Sequence, residues 1–237
     1  MFHLSRNDYI ILLILLAGVT ASILSKKLTV TAAIIGGLLG AIIYAGGGYR
    51  GLLLIAIFFI LGTAATSWGK KKKLSIHANA GHQSRRTTGQ VIANAGIAAL
   101  AGGLALLFPA QSPLFQLMMA GSMSAAMADT LSSELGMVYG RKYYNILTGK
   151  PDEKGQDGVI SIEGTAIGIA GSAIMALIAN NHFWIIILAG TIGNLTDSLL
   201  GALFERKGTI NNDTVNFLNT LTGALVAALL IQIPAFR

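Results

Sequence analysis

The 237-residue chain contains no cysteine, which excludes disulfides, thiolate metal sites and cysteine nucleophiles. Charge is scarce: Asp, Glu, Lys and Arg make up 11% of the residues, against about 25% in soluble domains. The soluble nucleotide-binding loops are missing too. Gly69-Lys70 does not complete a G-x-x-x-x-G-K-[ST] loop, and no G-x-G-x-x-G occurs. His77, His82 and His182 fall in loops without metal-ligand spacing and read as surface residues. What the chain has instead is apolar sequence: 53% of its residues are hydrophobic and the mean hydropathy is +0.65. These residues come in runs of roughly 17 to 25, the length a helix needs to cross the hydrocarbon. The composition describes an all-α, polytopic membrane protein.

Spans are expected at about 8–25, 28–45, 51–68, 89–108, 114–139, 164–180, 183–204 and 213–233, eight in all. The first apolar run, Tyr9 to Leu24, lacks a clear cleavage site and is followed at once by Lys26 and Lys27, so it reads as a span rather than a signal peptide. The connections alternate. Three are short and nearly uncharged; three others, Gly69 to Thr88, Gly140 to Glu163 and Glu205 to Asn212, are longer and basic. With both termini outside, 14 of the Lys and Arg residues fall on the inner side and only Arg6, Arg50 and Arg237 on the outer. That is the asymmetry of the positive-inside rule. The net charge of +7 is therefore an inner-surface property. The Lys70 to Lys73 run reads as topology and attraction to anionic lipid, not as nucleic-acid binding.

Polar residues inside the spans carry more information. The fifth span reads "MADTLSSELG" and holds Asp129 and Glu134, with Asp129 roughly 15 Å of helix before Gly140. Asp197 sits at a similar depth on the seventh span. The fourth and eighth spans begin with polar turns, Gln90 and Asn94 on one, Asn212, Asp213, Asn216, Asn219 and Thr220 on the other. A carboxylate at mid-helix costs about 2.5 to 3.5 kcal/mol in lipid and is expected to face a cavity, a partner or a substrate path. Helical spacing supports shared faces: Asp129 with Ser133, Thr130 with Glu134, and Asn194 with Asp197, Ser198 and Gly201. The uncharged members also suit plain interhelical hydrogen bonds, while Gly36, Gly40, Gly164 and Gly168 read as close helix packing.

Carboxylates beside basic loops at a membrane's inner face suit a divalent cation and phosphate. Mg2+ is held by one or two carboxylates plus substrate phosphates, and Arg and Lys neutralise the remaining oxygens. Arg85 and Arg86 precede the Gln90 helix, Arg141 and Lys142 follow Glu134, and Arg206 and Lys207 follow Asp197. Phosphoryl transfer asks a protein mainly for positioning and charge stabilisation.

Five ordered segments, "GQVIANAG" (89–96), "ADTLSSELG" (128–136), "DGVISIEGT" (157–165), "GTIGNLTDSLLGALFE" (190–205) and "NNDTVNFLNTLTGAL" (211–225), together resemble the integral membrane family of plant phytyl-phosphate kinase and transmembrane protein 19. The resemblance covers about residues 80–230. It implies transfer of a phosphoryl group from a nucleoside triphosphate, CTP, to an isoprenoid monophosphate. The family's Asp-Thr and Ser-Glu positions fall on Asp129, Thr130, Ser133 and Glu134, and its later elements on Asp197, Ser198, Asn212, Asp213 and Asn216. On physical grounds Asp129, Glu134 and Asp197 are expected to hold Mg2+, and Arg85, Arg86, Arg141 and Lys142 to clamp phosphates. Asn94, Asn216 and Ser198 are expected to orient phosphate oxygens or metal-bound waters, and Gln90, Thr130, Ser133, Asn194, Asn212 and Asp213 to bind substrate or nucleotide with them.

The lipid tail is expected between helices. The loop "GRKYYNILTGKPDEKGQDG" departs from the family pattern and reads as a mobile flap, with Asp152, Glu153 and Asp157 solvated. The whole forms one membrane unit, with three N-terminal spans (1–70) and a motif-bearing core (80–233), in a prokaryotic plasma membrane. The rival reading is an ion- or proton-coupled transporter using the same acids. Against it, the only internal likeness is "DTLSSEL" to "DSLLGAL", and the polar residues gather towards one face.

Overall fold

The computed structural model describes residues 6–74 and 85–236. Its long helices are α1 (Arg6–Leu24), α2 (Val30–Ser67), α4 (Thr88–Leu107), α5 (Ser112–Tyr139), α6 (Ile162–Ala179), α7 (Phe183–Leu200) and α8 (Asn212–Leu230), with a short α3 (Lys70–Leu74) between the second and fourth. A π-helical turn, Gly201–Glu205, extends α7. The expectation for His77 and His82 lies outside the described residues; His182 is an exposed residue ahead of α7.

The 38 residues of α2 are two antiparallel arms, 30–47 and 49–67. The chain turns at Gly48, whose φ of 59° and ψ of −152° only glycine adopts freely. Gly51 packs on the Ile43 carbonyl and Gly40 faces Ile55, residues that a straight helix would hold about 22 Å apart. Each span expected from the sequence thus coincides with a helix or a helix arm. Among the described residues six helices, counting α2 as one, are long and apolar enough to cross a membrane. The helix α5 is long enough but is kept out of the six by its polar load.

That load is tolerated because α5 is the centre of the bundle, packed against α2, α4, α6, α7 and α8. Every residue from Met119 to Ala128 is buried, so no face of this stretch meets lipid. The buried surfaces are built of small residues. Gly121 on α5 and Gly223 on α8 lie backbone to backbone, where any Cβ would collide with the opposite carbonyl. Gly164 and Gly168 of α6 approach Gly136, Ser132 and Ala128 of α5 in the same way, as expected for close packing. Large apolar side chains point outwards instead: Leu13, Leu16, Leu107, Leu177, Trp184 and Leu229 are all exposed. Small residues inside and large apolar residues outside are the arrangement of a bundle whose solvent is lipid.

The loop after α5 is not an open flap. It folds into a two-stranded antiparallel ribbon, β1 (Tyr144–Asn145) with β2 (Val159–Ile160). Arg206, just beyond α7, grips Asp152 through Nη1 at 2.6 Å and Nη2 at 3.2 Å, and Asn145 adds a third contact at 3.0 Å. Hydrogen-bonded strands and a two-pronged guanidinium give this segment the fixed shape that its Gly and Pro content did not suggest.

Candidate functional site: a polar cavity at one end of the bundle

One end of the bundle opens into a cavity of about 670 Å³. Its walls come from the ends of six helices. The N-terminal turns of α4, α6 and α8 supply Gln90, Ser161 and Asn212, and the C-terminal turns of α5, α7 and the second arm of α2 supply Glu134, Asp197 and Thr66. Helix N-termini favour anions and C-termini favour cations, so both kinds of partial charge meet here.

Local structure explains the placement of each side chain. Gln90 closes a capping box on Thr87, which fixes the start of α4. One turn on, Asn94 donates through Nδ2 to the Gln90 carbonyl at 2.8 Å, leaving its buried Oδ1 without a hydrogen-bond partner. On α5, Ser132 donates to Asn194 Oδ1 of α7 at 2.8 Å, locking the two acidic helices in register. Ser133 and Ser198 return their hydroxyls to carbonyls of their own helices, Asp129 at 2.9 Å and Asn194 at 3.3 Å. Asn216 donates to Asn212 Oδ1 at 2.8 Å, and Asn212 in turn contacts Glu205 on the π-turn.

The carboxylates divide into two groups. Asp129 and Asp197 face each other across α5 and α7 at hydrogen-bonding range, and Asp197 Oδ2 is buried with no further partner. Two carboxylates in contact need a positive charge between them, a proton or a metal ion. Glu134 stands apart: its Oε2 is 2.6 Å from the ammonium of Lys73, which also donates to the Ala65 carbonyl at 2.7 Å. Lys73 is 2% exposed, so it does not take the part in attracting anionic lipid expected of the Lys70 to Lys73 run.

Arg86 lies along the same arm of α2, one turn before the Ala65 carbonyl that holds Lys73. Its backbone pairs with the α1–α2 turn, donating to Lys27 O at 2.9 Å and accepting from Thr29 N at 3.1 Å. This places the guanidinium over the Phe58 ring, 5.6 Å from its centroid, and beside Gly62 and Thr130. Burial holds the Arg86 pKa below its ordinary value, with Glu134 acting in the other direction; a guanidinium remains a cation at neutral pH regardless.

Of the residues expected from the sequence, the structure brings Arg86, Gln90, Asn94, Asp129, Thr130, Ser133, Glu134, Asn194, Asp197, Ser198, Asn212 and Asn216 to this one cavity. Arg85, Arg141, Lys142 and Asp213 are not on its wall. Arg85 and Lys142 are exposed, and Arg141, 88% exposed, reaches only Glu163 at 3.9 Å. The reason is at the end of α5, where Tyr143 folds back to donate to the Gly136 and Gly140 carbonyls and turns the chain aside. Asp213 packs against Gly89 at the foot of α4. In their place the wall holds Lys27, Lys70 and Lys73, with Ser132, Asp157 and Glu205. Asp157 is exposed yet lies on the rim. The helical offset of Ser132 from Asp129 and the inclusion of Glu205 in a motif segment were readable signals; nothing in four consecutive lysines marks which one turns inward.

Among the described residues no three carboxylate or imidazole side chains converge at metal-ligating distance. The facing pair Asp129 and Asp197, with the orphaned oxygens Asp197 Oδ2 and Asn94 Oδ1, nevertheless fits a hard cation that keeps several waters. The wall carries five carboxylates against four cations. A polyphosphate would therefore need an added positive charge to enter.

A family model described as Integral membrane protein DUF92 matches residues 12–224. An uncharacterized membrane protein of Methanocaldococcus jannaschii is 37% identical over 77% of this chain and 76% of its own. The chloroplastic protein VTE6 of Arabidopsis thaliana is 33% identical over 77% of this chain and 59% of its own. An uncharacterized membrane protein of Synechocystis is 32% identical over 76% of this chain and 73% of its own. No solved structure matches. The chain belongs to the integral membrane family DUF92.

Proposed function

We propose that the protein is a kinase that transfers the γ-phosphoryl group of a nucleoside triphosphate, CTP, to an isoprenoid monophosphate such as phytyl or geranylgeranyl phosphate. The observation that carries this reading is the cavity whose wall the Asp129–Asp197 pair shares with Arg86, Lys73, Lys70 and Lys27. The resemblance of the five motifs to the family of plant phytyl-phosphate kinase supplies the substrate class.

In this reading an oxygen of the lipid monophosphate attacks the γ-phosphorus, the bond from that phosphorus to the β–γ bridging oxygen breaks, and the nucleoside diphosphate leaves with the electron pair. The acceptor is already ionised at neutral pH, so no general base is required. Asp129 and Asp197 would hold Mg2+, which supplies charge neutralisation between phosphate oxygens. Arg86 would bind the oxygens of the transferred group and stabilise charge as it shifts towards the leaving phosphate, while Lys73, whose three N–H groups go to Glu134, Ala65 and Thr66, would add its charge to that side of the cavity. Asn94, Ser198 and Asn216 would orient phosphates or waters, and Lys27 and Lys70 would neutralise the nucleotide at the rim. The cavity would open to the cytoplasm, with both termini outside and the protein in a prokaryotic plasma membrane. The basic loops support that orientation.

The test is transfer of labelled γ-phosphate from CTP or ATP to geranylgeranyl monophosphate by the purified protein, with and without Mg2+. Metal-dependent formation of the diphosphate is the expected result. No transfer from either nucleotide to any isoprenoid phosphate, together with cation or proton flux in vesicles, would overturn it in favour of transport.

A further inference from the structure

We infer that the hydrocarbon tail of the phosphate-bearing substrate lies in a groove on the outer face of α6, under the β1–β2 ribbon. This inference rests on the proposed function and gives the lipid a place in it. The groove has a volume of about 310 Å³ and is walled by Tyr144 of β1 and by Ile162, Ala166 and Ile169 of α6. The three α6 residues recur at helical spacing and form one stripe. The opposite face of the same helix, Gly164, Gly168 and Gly171, is spent on packing against α5. The stripe is therefore left without a protein partner, and Ile162 is 78% exposed.

Continuity with the polar cavity identifies the occupant. Ile160, Ser161 and Thr165 line both spaces, so a thin wall of three residues separates the phosphate-binding side from the apolar side. A molecule with a phosphate among Arg86, Lys73 and Asp129 and a hydrocarbon chain attached must cross from polar to apolar surface somewhere. Here the two surfaces share residues, and the hydroxyls of Ser161 and Thr165 sit at the junction. Beyond Ile169 the exposed side chains of Ile174 and Leu177 continue the apolar surface along α6. A tail can thus leave the groove without meeting a polar group. A free nucleotide has no use for such a groove, whereas a C15 or C20 isoprenyl phosphate needs one.

The ribbon that roofs the groove is itself anchored, by Arg206 on Asp152. The roof is thus a fixed wall, and the groove opens sideways along α6 towards lipid. Substrate would enter from the bilayer with its tail already in apolar surroundings, and only its phosphate would move past Thr165.

The experiment uses the full chain in lipid nanodiscs and a geranylgeranyl monophosphate bearing a diazirine near the far end of its tail. Photolysis followed by peptide mapping is expected to place the label on Tyr144 or on residues 160–169. That labelling should be competed by unlabelled geranylgeranyl monophosphate and not by geranylgeraniol. Ala166→Trp should reduce it about tenfold, the scale on which a filled apolar pocket rejects a ligand. It should also lower the ratio of kcat/KM for geranylgeranyl phosphate over isopentenyl phosphate by a similar factor. Label spread evenly over α1, α2 and the other lipid-facing helices, without competition, means bulk lipid only and overturns the inference. The two readings fail separately: competed label in the groove without phosphoryl transfer removes the kinase and keeps the lipid site. Transfer with label concentrated elsewhere removes the groove and keeps the kinase.

Discussion

Lys73 Nζ lies 2.6 Å from Glu134 Oε2, and the lysine is 2% exposed while the carboxylate is 21% exposed. A buried ammonium this close to a carboxylate, with two backbone carbonyls completing its shell, is held in one position. Breaking such a pair from one side leaves an uncompensated charge, at a cost of about 3 to 5 kcal/mol. Lys73→Met and Glu134→Gln are each expected to lower the thermal midpoint in detergent. The double variant should recover much of the loss, because it leaves neither charge unpaired. Purely additive effects would show that the pair does not couple in solution. In the transfer assay Lys73→Met should also lower the rate, because it leaves Glu134 as an unpaired negative charge on the cavity wall.

The contact between Asp129 and Asp197 makes a prediction of opposite sign for stability and activity. Two facing carboxylates repel when both are ionised. Asp129→Asn or Asp197→Asn removes one charge and is expected to raise the thermal midpoint in EDTA. The same variants should lose the stabilisation that Mg2+ gives the parent protein by binding its folded form, and about 100-fold or more of the transfer rate. Thermal scans with and without the metal check both halves. A midpoint that stays or falls in EDTA would mean that the metal-free pair is not repelling, as when the two carboxyls share a proton.

The helices and the end of the bundle at which polar groups meet were legible because both follow from local pattern. Apolar runs of helical length and the depth of Asp129, Asp197 and the Asn stripe on α8 are properties of single segments. The contributors to the basic side of the cavity were harder, because they arrive by long-range pairing. Lys27 and Arg86 meet through an isolated bridge between Leu28 and Arg86, a pairing of segments almost sixty residues apart that no periodicity announces. Arg141 and Lys142 misled for the converse reason. Adjacency to Glu134 in sequence suggested adjacency in space, and the turn made by Gly140 and Tyr143 removes it. The loop expected to be a flap had two short strands too brief for alternation to show, and Arg206, which holds Asp152 between them, arrives from beyond α7.

That tie between Arg206 and Asp152 predicts how the ribbon responds to pH. The Arg206 guanidinium, then Asn145, holds the Asp152 carboxyl well below its ordinary value of 3.8. A carboxylate depressed by folding contributes stability above its unfolded pKa and loses it only as pH falls through the lower, folded value. Hydrogen exchange of residues 144–160 should therefore be flat from pH 8 to about 5, once intrinsic rates are corrected, and rise only below about pH 4. Asp152→Asn should show the faster exchange at neutral pH. An early rise near pH 6 in the parent protein would assign the fixed shape of the ribbon to another contact.

Arg85 and Arg86 are neighbours in sequence with opposite expectations. Arg85 is exposed and off the cavity wall, whereas Arg86 lines the cavity with its guanidinium over the Phe58 ring and beside Gly62. If Arg86 stabilises the charge of the transferred phosphoryl group, Arg86→Ala should lower kcat/KM about 1,000-fold, the lower range for a catalytic arginine. Arg86→Lys should recover little of it, since an ammonium cannot reproduce the planar fork or its stacking on the ring. Arg85→Ala should stay within about twofold, as surface substitutions do. Equal losses at both positions would mean that they act through the general charge of the loop. The contrast between two adjacent residues separates a positioned guanidinium from a basic surface.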